Sequence, residues 1–175
     1  LTGICACEIT KGVQNGRPVI VCPKHFAANE QETFRRGNAG RNVDAVDSIL
    51  TERALRELYL KPFEMLVRDA GIACIMTSFN KINGTFAGGS HDLCTHILRE
   101  EWGFEGAVVT DWGDMDMVVD GADAVAAGND IVMPGGPPVI RQILKGYEEG
   151  RVTRQELEQA VRHLLLMTER IKLSC

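Results

Sequence analysis

No run of this chain is apolar for anything near the roughly 18 residues that a membrane span requires, and no membrane segment is expected. No basic segment followed by an apolar one opens the chain, so no leader is expected from Leu1 onward. An excess of basic charge is also missing. With 19 Lys and Arg against 24 Asp and Glu the formal charge is −5, which argues against a nucleic-acid partner. The six cysteines, Cys5, Cys7, Cys22, Cys74, Cys94 and Cys175, contain no CxxC pair. Cys22 and Cys74 lie in apolar runs, where free cysteine behaves as a small hydrophobe. Reduced core cysteines are expected rather than a metal site or a disulfide framework, and a reducing, cytoplasmic setting fits best. His25, His91, His96 and His163 are too scattered for metal-ligand spacing. Gly88-Gly89 lacks the spacing of a phosphate loop, and Gly135-Gly136-Pro137-Pro138 reads as a helix entry. No cofactor is expected. Without repeats, low-complexity stretches or linkers, residues 1–175 read as a single domain.

What is present is ordinary globular material, 45% apolar and 25% charged. Four short apolar runs, 18–23, 72–77, 106–110 and 130–133, end in polar or Gly/Pro residues and read as buried strands. Apolar on both faces, they suit a parallel sheet covered by helices. Helical spacing fills the gaps at 48–70, 90–102, 116–127, 138–149 and 153–172, with a further helix near 4–14. Pro62 is expected to kink or split the first of these. Ser90 is a candidate N-cap, Gly128 a stop, and Thr153 with Glu156 a capping box. Alternation of this kind means βαβ units. A closed (β/α)8 barrel takes about 250 residues, so half of one or a short open α/β sheet are the two options.

Functional groups of parallel α/β proteins collect where strands end. After the first run come Lys24, His25, Phe26 and Asn29; after the second, Met76 to Lys81; after the third, Asp111 and Trp112. A carboxylate and a lysine can share hydrogen bonds with vicinal hydroxyls, and an indole can pack on sugar C–H groups. The set suits a neutral, hydroxyl-rich ligand. Taken singly, Asp111 reads equally well as a helix cap, Lys24-His25 as a solvated pair and Trp112 as core.

In order along nearly the whole chain, five segments resemble glycoside hydrolase family 3. Lys24-His25-Phe26 with Asn29 resembles its KHFxxN segment. Glu52-Arg53 through Pro62-Phe63 resembles its ERxLREIYLxPF helix. Met76 through Asn80 with Asn83-Gly84 is similar to MxSYNxxNG. Leu98 through Trp112 is similar to LRxEWGFxGxVVSDW, and Ala127 through Gly135 to AGxDxxMPG. The resemblance implies the second half of a (β/α)8 barrel, with about four parallel strands, from a domain usually followed by an α/β sandwich. It implies a β-glucosidase-like or β-xylosidase-like activity, Asp111 as nucleophile, Lys24 and His25 on sugar hydroxyls, and Met76, Phe79 and Trp112 about the sugar. Phe79 stands where the family has Tyr, and loss of that hydroxyl is expected to raise the nucleophile's pKa or to slow turnover.

Retaining hydrolysis needs an ionised nucleophile and a protonated acid about 5–5.5 Å apart. Lys24 and His25 suit an anionic Asp111. Glu30, Glu32 and Asp114 are the candidate acids by proximity, yet each reads more simply as a surface or helix-start carboxylate, so the acid/base is expected from outside this chain. Unpaired barrel edges invite self-association. The rival readings are a non-catalytic carbohydrate-binding remnant and a barrel enzyme whose strand-end Asp is a base.

Overall fold

The computed structural model describes residues 1–112 and 118–173, and the chain is an α/β protein. Helix α1 (Thr2–Gln14) packs on a long helical stretch built in three pieces, α2 (Glu52–Ala54), a π-type segment (Leu55–Leu60) and α3 (Lys61–Ala70). Thr51 caps its start, the hydroxyl accepting from Ala54 N. The break expected at Pro62 takes the form of the π-type turns, which end at Leu60 and leave the proline in the first turn of α3, where a missing N–H is harmless. Further on lie a second π-type helix (Asp92–Glu101), α4 (Gly121–Ala127), α5 (Pro137–Glu148) and α6 (Arg154–Leu173). Local chemistry sets their ends. Ser90 Oγ accepts from Leu93 N at 3.2 Å, Gly128 closes α4 at φ 113°, and Thr153 and Glu156 cap α6 reciprocally at 2.6 and 3.2 Å.

Strands β2 (Cys74–Met76) and β5 (Ala107–Val109) pair in parallel, Cys74 opposite Ala107 and Met76 opposite Val109. Single parallel bridges extend this pair on either side, Phe26 to Thr77 and Val109 to Ile131. The four strands expected from the sequence thus reduce to two regular ones among the described residues. Over 18–23, prolines at both ends have no N–H for a ladder, and backbone pairing begins only where Pro23 O accepts from Met76 N at 3.1 Å. Over 130–133 the ladder ends early because Met133 N turns to the Thr110 hydroxyl at 2.8 Å. A second, unexpected sheet joins β1 (Asp47–Ser48) in parallel to β3 (Lys81–Ile82), which forms a hairpin with β4 (Thr85–Phe86). Its turn is Asn83-Gly84, at φ 49° and 88°, the left-handed pair that a tight hairpin requires.

The main core lies between the β2–β5 pair, α1, α3 and the Asp92–Glu101 helix, with Phe26, Leu60, Ile75, Leu98 and Val108 fully buried. The Phe26 ring meets Phe63 edge-on at 5.1 Å and Trp102 at 6.0 Å. A polar cluster ties α6 to this sheet. Asp130 receives Arg99 Nη2 at 2.7 Å, Val108 N at 2.7 Å and His163 Nδ1 at 2.8 Å. Arg99 also donates to Gly106 O and Gly128 O, each at 3.0 Å. Removing the carboxylate would leave a largely buried guanidinium without its counter-charge. Asp130→Ala is therefore expected to lower the unfolding free energy by about 3–5 kcal/mol, read as a fall in the urea midpoint at pH 7; a shift near zero would show that the cluster carries no net stability.

Candidate active site

Thr110 fixes the exit of β5. Its N–H bonds Ile131 O at 2.9 Å and its hydroxyl accepts from Met133 N. The next residue, Asp111, is 6% exposed. Oδ1 accepts from Trp112 N at 2.7 Å. Oδ2 lies 3.3 Å from His25 Nε2 and 3.3 Å from Arg35 Nη1. Neither nitrogen is aligned as a hydrogen-bond donor, and among the described residues this buried oxygen accepts no hydrogen bond. The helix-cap reading is not met for α4, whose cap is Asp120, its side chain accepting from Ala122 N at 2.9 Å.

His25 is brought to Asp111 by the segment that leaves the first strand position. Phe26 N donates to Met76 O at 2.8 Å, and Ser78 N to Phe26 O at 2.8 Å. Just beyond, Ala27 O accepts from Ser78 Oγ at 3.0 Å and Asn80 Nδ2 at 3.2 Å, and Ala28 O from Asn80 Nδ2 at 3.2 Å and Ser48 Oγ at 2.9 Å. The peptide bonds Lys24–His25 and Phe26–Ala27 are cis. Asn80 and Ser78 thus hold the backbone on which His25 is carried.

Lys24 does not join this contact. Its exposed side chain lines, with His25, Asn29, Glu30, Glu32 and Tyr59, a cleft of about 810 Å³. Among the described residues the basic side chains paired with Asp111 are His25 and Arg35, so Arg35 stands where Lys24 was expected beside His25. Burial pushes the His25 imidazole below its ordinary pKa; the charge of Asp111 opposes this, while Lys24 and Arg35 reinforce it. The standing positive charge at Asp111 is therefore Arg35. Its guanidinium rests on the buried Phe79 ring at 5.0 Å and pairs through Nε with Glu32 at 3.3 Å. Sequence reasoning missed Arg35 because it lies well past a strand end. The available signal was a long stretch without periodicity between α1 and α2, since long irregular loops in compact domains are usually functional.

Met76 is half-buried at the end of β2, and Trp112 is 59% exposed beside Asp111. Glu30 is exposed on the cleft. Glu32 is engaged by Arg35 and by Asn29 Nδ2 at 2.8 Å. Asp114 lies outside the described residues.

Parallel strands alternating with helices, with charged groups gathered past the strand ends, place the chain among α/β proteins that build their sites at that edge. Residues 1–167 match the glycosyl hydrolase family 3 N terminal domain, and the chain belongs to that family. It is 39% identical over 173 residues to a β-glucosidase of Rhizobium radiobacter, covering 98% of this chain and 20% of that protein. Against β-glucosidase B of Emericella nidulans it is 38% identical over 177 residues, covering 100% and 19%. The solved β-glucosidase 3B of Thermotoga neapolitana, in complex with glucose, superposes with a TM-score of 0.84 at 36% identity, covering 98% of this chain and 24% of that one. The chain spans about a fifth of the length of the curated relatives it matches.

The buried imidazole has a consequence for pH. A histidine whose folded pKa lies below its unfolded value contributes stability above the unfolded value, here 6.5, and that contribution is lost as pH falls through the folded value. Urea midpoints measured from neutral pH to below 6.5 are expected to fall, and to fall less steeply in His25→Gln. Equal slopes would show that His25 titrates alike in both states.

Proposed function

We propose that this chain carries the nucleophile side of a retaining β-glucosidase site, acting on terminal β-linked glucosyl residues, with Asp111 as the nucleophile. The observation that carries the reading is Asp111 Oδ2, buried, flanked at 3.3 Å by the Arg35 guanidinium and the His25 imidazole and accepting no hydrogen bond among the described residues. A nucleophilic carboxylate needs a lone pair that is not already engaged, together with positive charge to hold it as an anion. The other oxygen is fixed by Trp112 N, so the carboxylate plane is set without blocking Oδ2. Lys24, His25, Met76 and Trp112 are the candidate hydroxyl-binding and packing groups of this reading, and Phe79 supports Arg35. Relatives named as β-glucosidases, one of them solved with glucose, support the substrate class.

In this reading residues 1–175 are the second half of a (β/α)8 barrel domain, and the strand positions at 23–26, β2, β5 and Ile131 are four successive barrel positions. The acid/base is then supplied by residues outside these 175. Glu32 is unsuited to that acid, since Arg35 and Asn29 already engage it.

The test is a mechanism-based 2-deoxy-2-fluoroglucoside applied to a polypeptide that carries these residues together with the remaining length of the relatives. The peptide containing Asp111 is expected to gain the fluoroglucosyl mass, and Asp111→Asn to lose both label and several orders of magnitude of turnover. Label elsewhere, or near-normal activity in the variant, would overturn the assignment. The 175-residue chain by itself is expected to cleave activated aryl glucosides slowly and disaccharides not measurably, because general acid assistance is typically worth about 10²–10⁴-fold. Its open sheet edges are expected to show as self-association in its solution mass. A stable monomer with ordinary turnover on a disaccharide would place the acid within these residues.

A further inference from the structure

Two of the cysteines that the sequence assigns to separate apolar runs meet in space. Cys22 Sγ and Cys74 Sγ are 3.0 Å apart, although 52 residues separate them in sequence. Both are half-buried free thiols. Cys74 opens β2, and Cys22 directly precedes Pro23, whose carbonyl pairs with Met76 N, so both are carried on backbone held in register by the sheet. Among the described residues Cys5 is exposed on α1, and Cys7 and Cys94 are buried. A disulfide bond is about 2.05 Å long, so the two sulfurs need approach by only about an ångström, within ordinary side-chain rotation.

We propose that Cys22 and Cys74 form a reversible disulfide, a staple between the segment that carries Lys24 and His25 and the strand that carries Met76. The oxidant is a small disulfide of the glutathione class. One protein thiolate attacks a sulfur of that disulfide, whose S–S bond breaks, and the first small thiolate leaves and takes up a proton. The second protein thiol loses its proton and attacks the protein sulfur of the mixed disulfide, expelling the second small thiolate. Two protein thiols are oxidised and one small disulfide is reduced to two thiols. The hydrogen bond that the thiols share raises Cys22 and lowers Cys74, while burial raises both. Because the staple closes a long loop, it stabilises chiefly by restricting the unfolded chain, and it encloses the segment bearing Glu32 and Arg35.

The experiment equilibrates the chain with excess glutathione disulfide, once folded and once in urea, quenches with acid, blocks remaining thiols with N-ethylmaleimide and maps the peptides by mass. In the folded chain the expected product is a linked Cys22–Cys74 peptide pair two hydrogens lighter than its parts, far more abundant than in urea. The oxidised protein is expected to melt several degrees higher and to return to its starting midpoint in dithiothreitol. In Cys22→Ser, Cys74 is expected to stop at the glutathione mixed disulfide. Free thiols or two separate mixed disulfides at Cys22 and Cys74 in the wild-type folded chain would overturn the proposal. So would a linked pair no more frequent folded than in urea. Both outcomes are read on the wild type, so neither depends on the variant folding.

Discussion

A carboxylate buried as deeply as that of Asp130, with its side chain 2% exposed, is tolerable only if its charge is met and its lone pairs are filled. The way this is done ties distant parts of the chain together. Arg99 brings in the Asp92–Glu101 helix, His163 brings in α6, and Val108 N–H brings in β5. Arg99 reaches the backbone at Gly106, just before the strand, and at Gly128, the end of α4. Strand β5 is only three residues long, too short to orient itself by its ladder alone, and Asp111 follows it by two residues. The direction in which Asp111 leaves the sheet is thus fixed from below by a charge cluster and from above by the Thr110 hydroxyl on Met133 N.

The upper side has its own knot. Asn129, wholly buried, accepts from Thr77 Oγ1 at 3.2 Å and donates to Gly88 O at 2.7 Å and Ala124 O at 2.8 Å. One amide thereby joins the end of β2, the turn before the Asp92–Glu101 helix and the body of α4. Asn129 and Asp130 are sequence neighbours, one fastening the residue that follows β2 and the other the middle of β5, which is why so short a sheet can hold a site in place.

Helices were legible in the sequence because their signals are local. Thr153 with Glu156, Ser90 and Gly128 are read within one turn of where they act. The strand positions were legible as apolar runs but not as regular strands, because prolines at 18 and 23 and the Thr110 hydroxyl decide how far pairing runs. The small β1–β3–β4 sheet escaped because two-residue strands have no periodicity, although Asn83-Gly84 marked its turn. At the candidate site, Asp111 and His25 were legible from their place after apolar runs, and their contact is present. Arg35 was not, since its position follows from tertiary bonds. Asn80 and Ser48 hold Ala28 O, and Lys81 N bonds Val46 O, fastening both ends of the loop between.

That loop changes how the charges at Asp111 divide their work. An imidazole held below its ordinary pKa by burial is a poor source of fixed positive charge near neutrality, whereas a guanidinium stays charged in any protein environment. Arg35 is kept from collapsing fully onto Asp111 by its second partner, Glu32, and by the Phe79 face beneath it. An aligned hydrogen bond from that guanidinium to Oδ2 would engage a lone pair that the nucleophile needs. Shared between two carboxylates and seated on a ring, it gives Asp111 field without occupying it. In this arrangement Phe79 is the ring surface on which that guanidinium is seated.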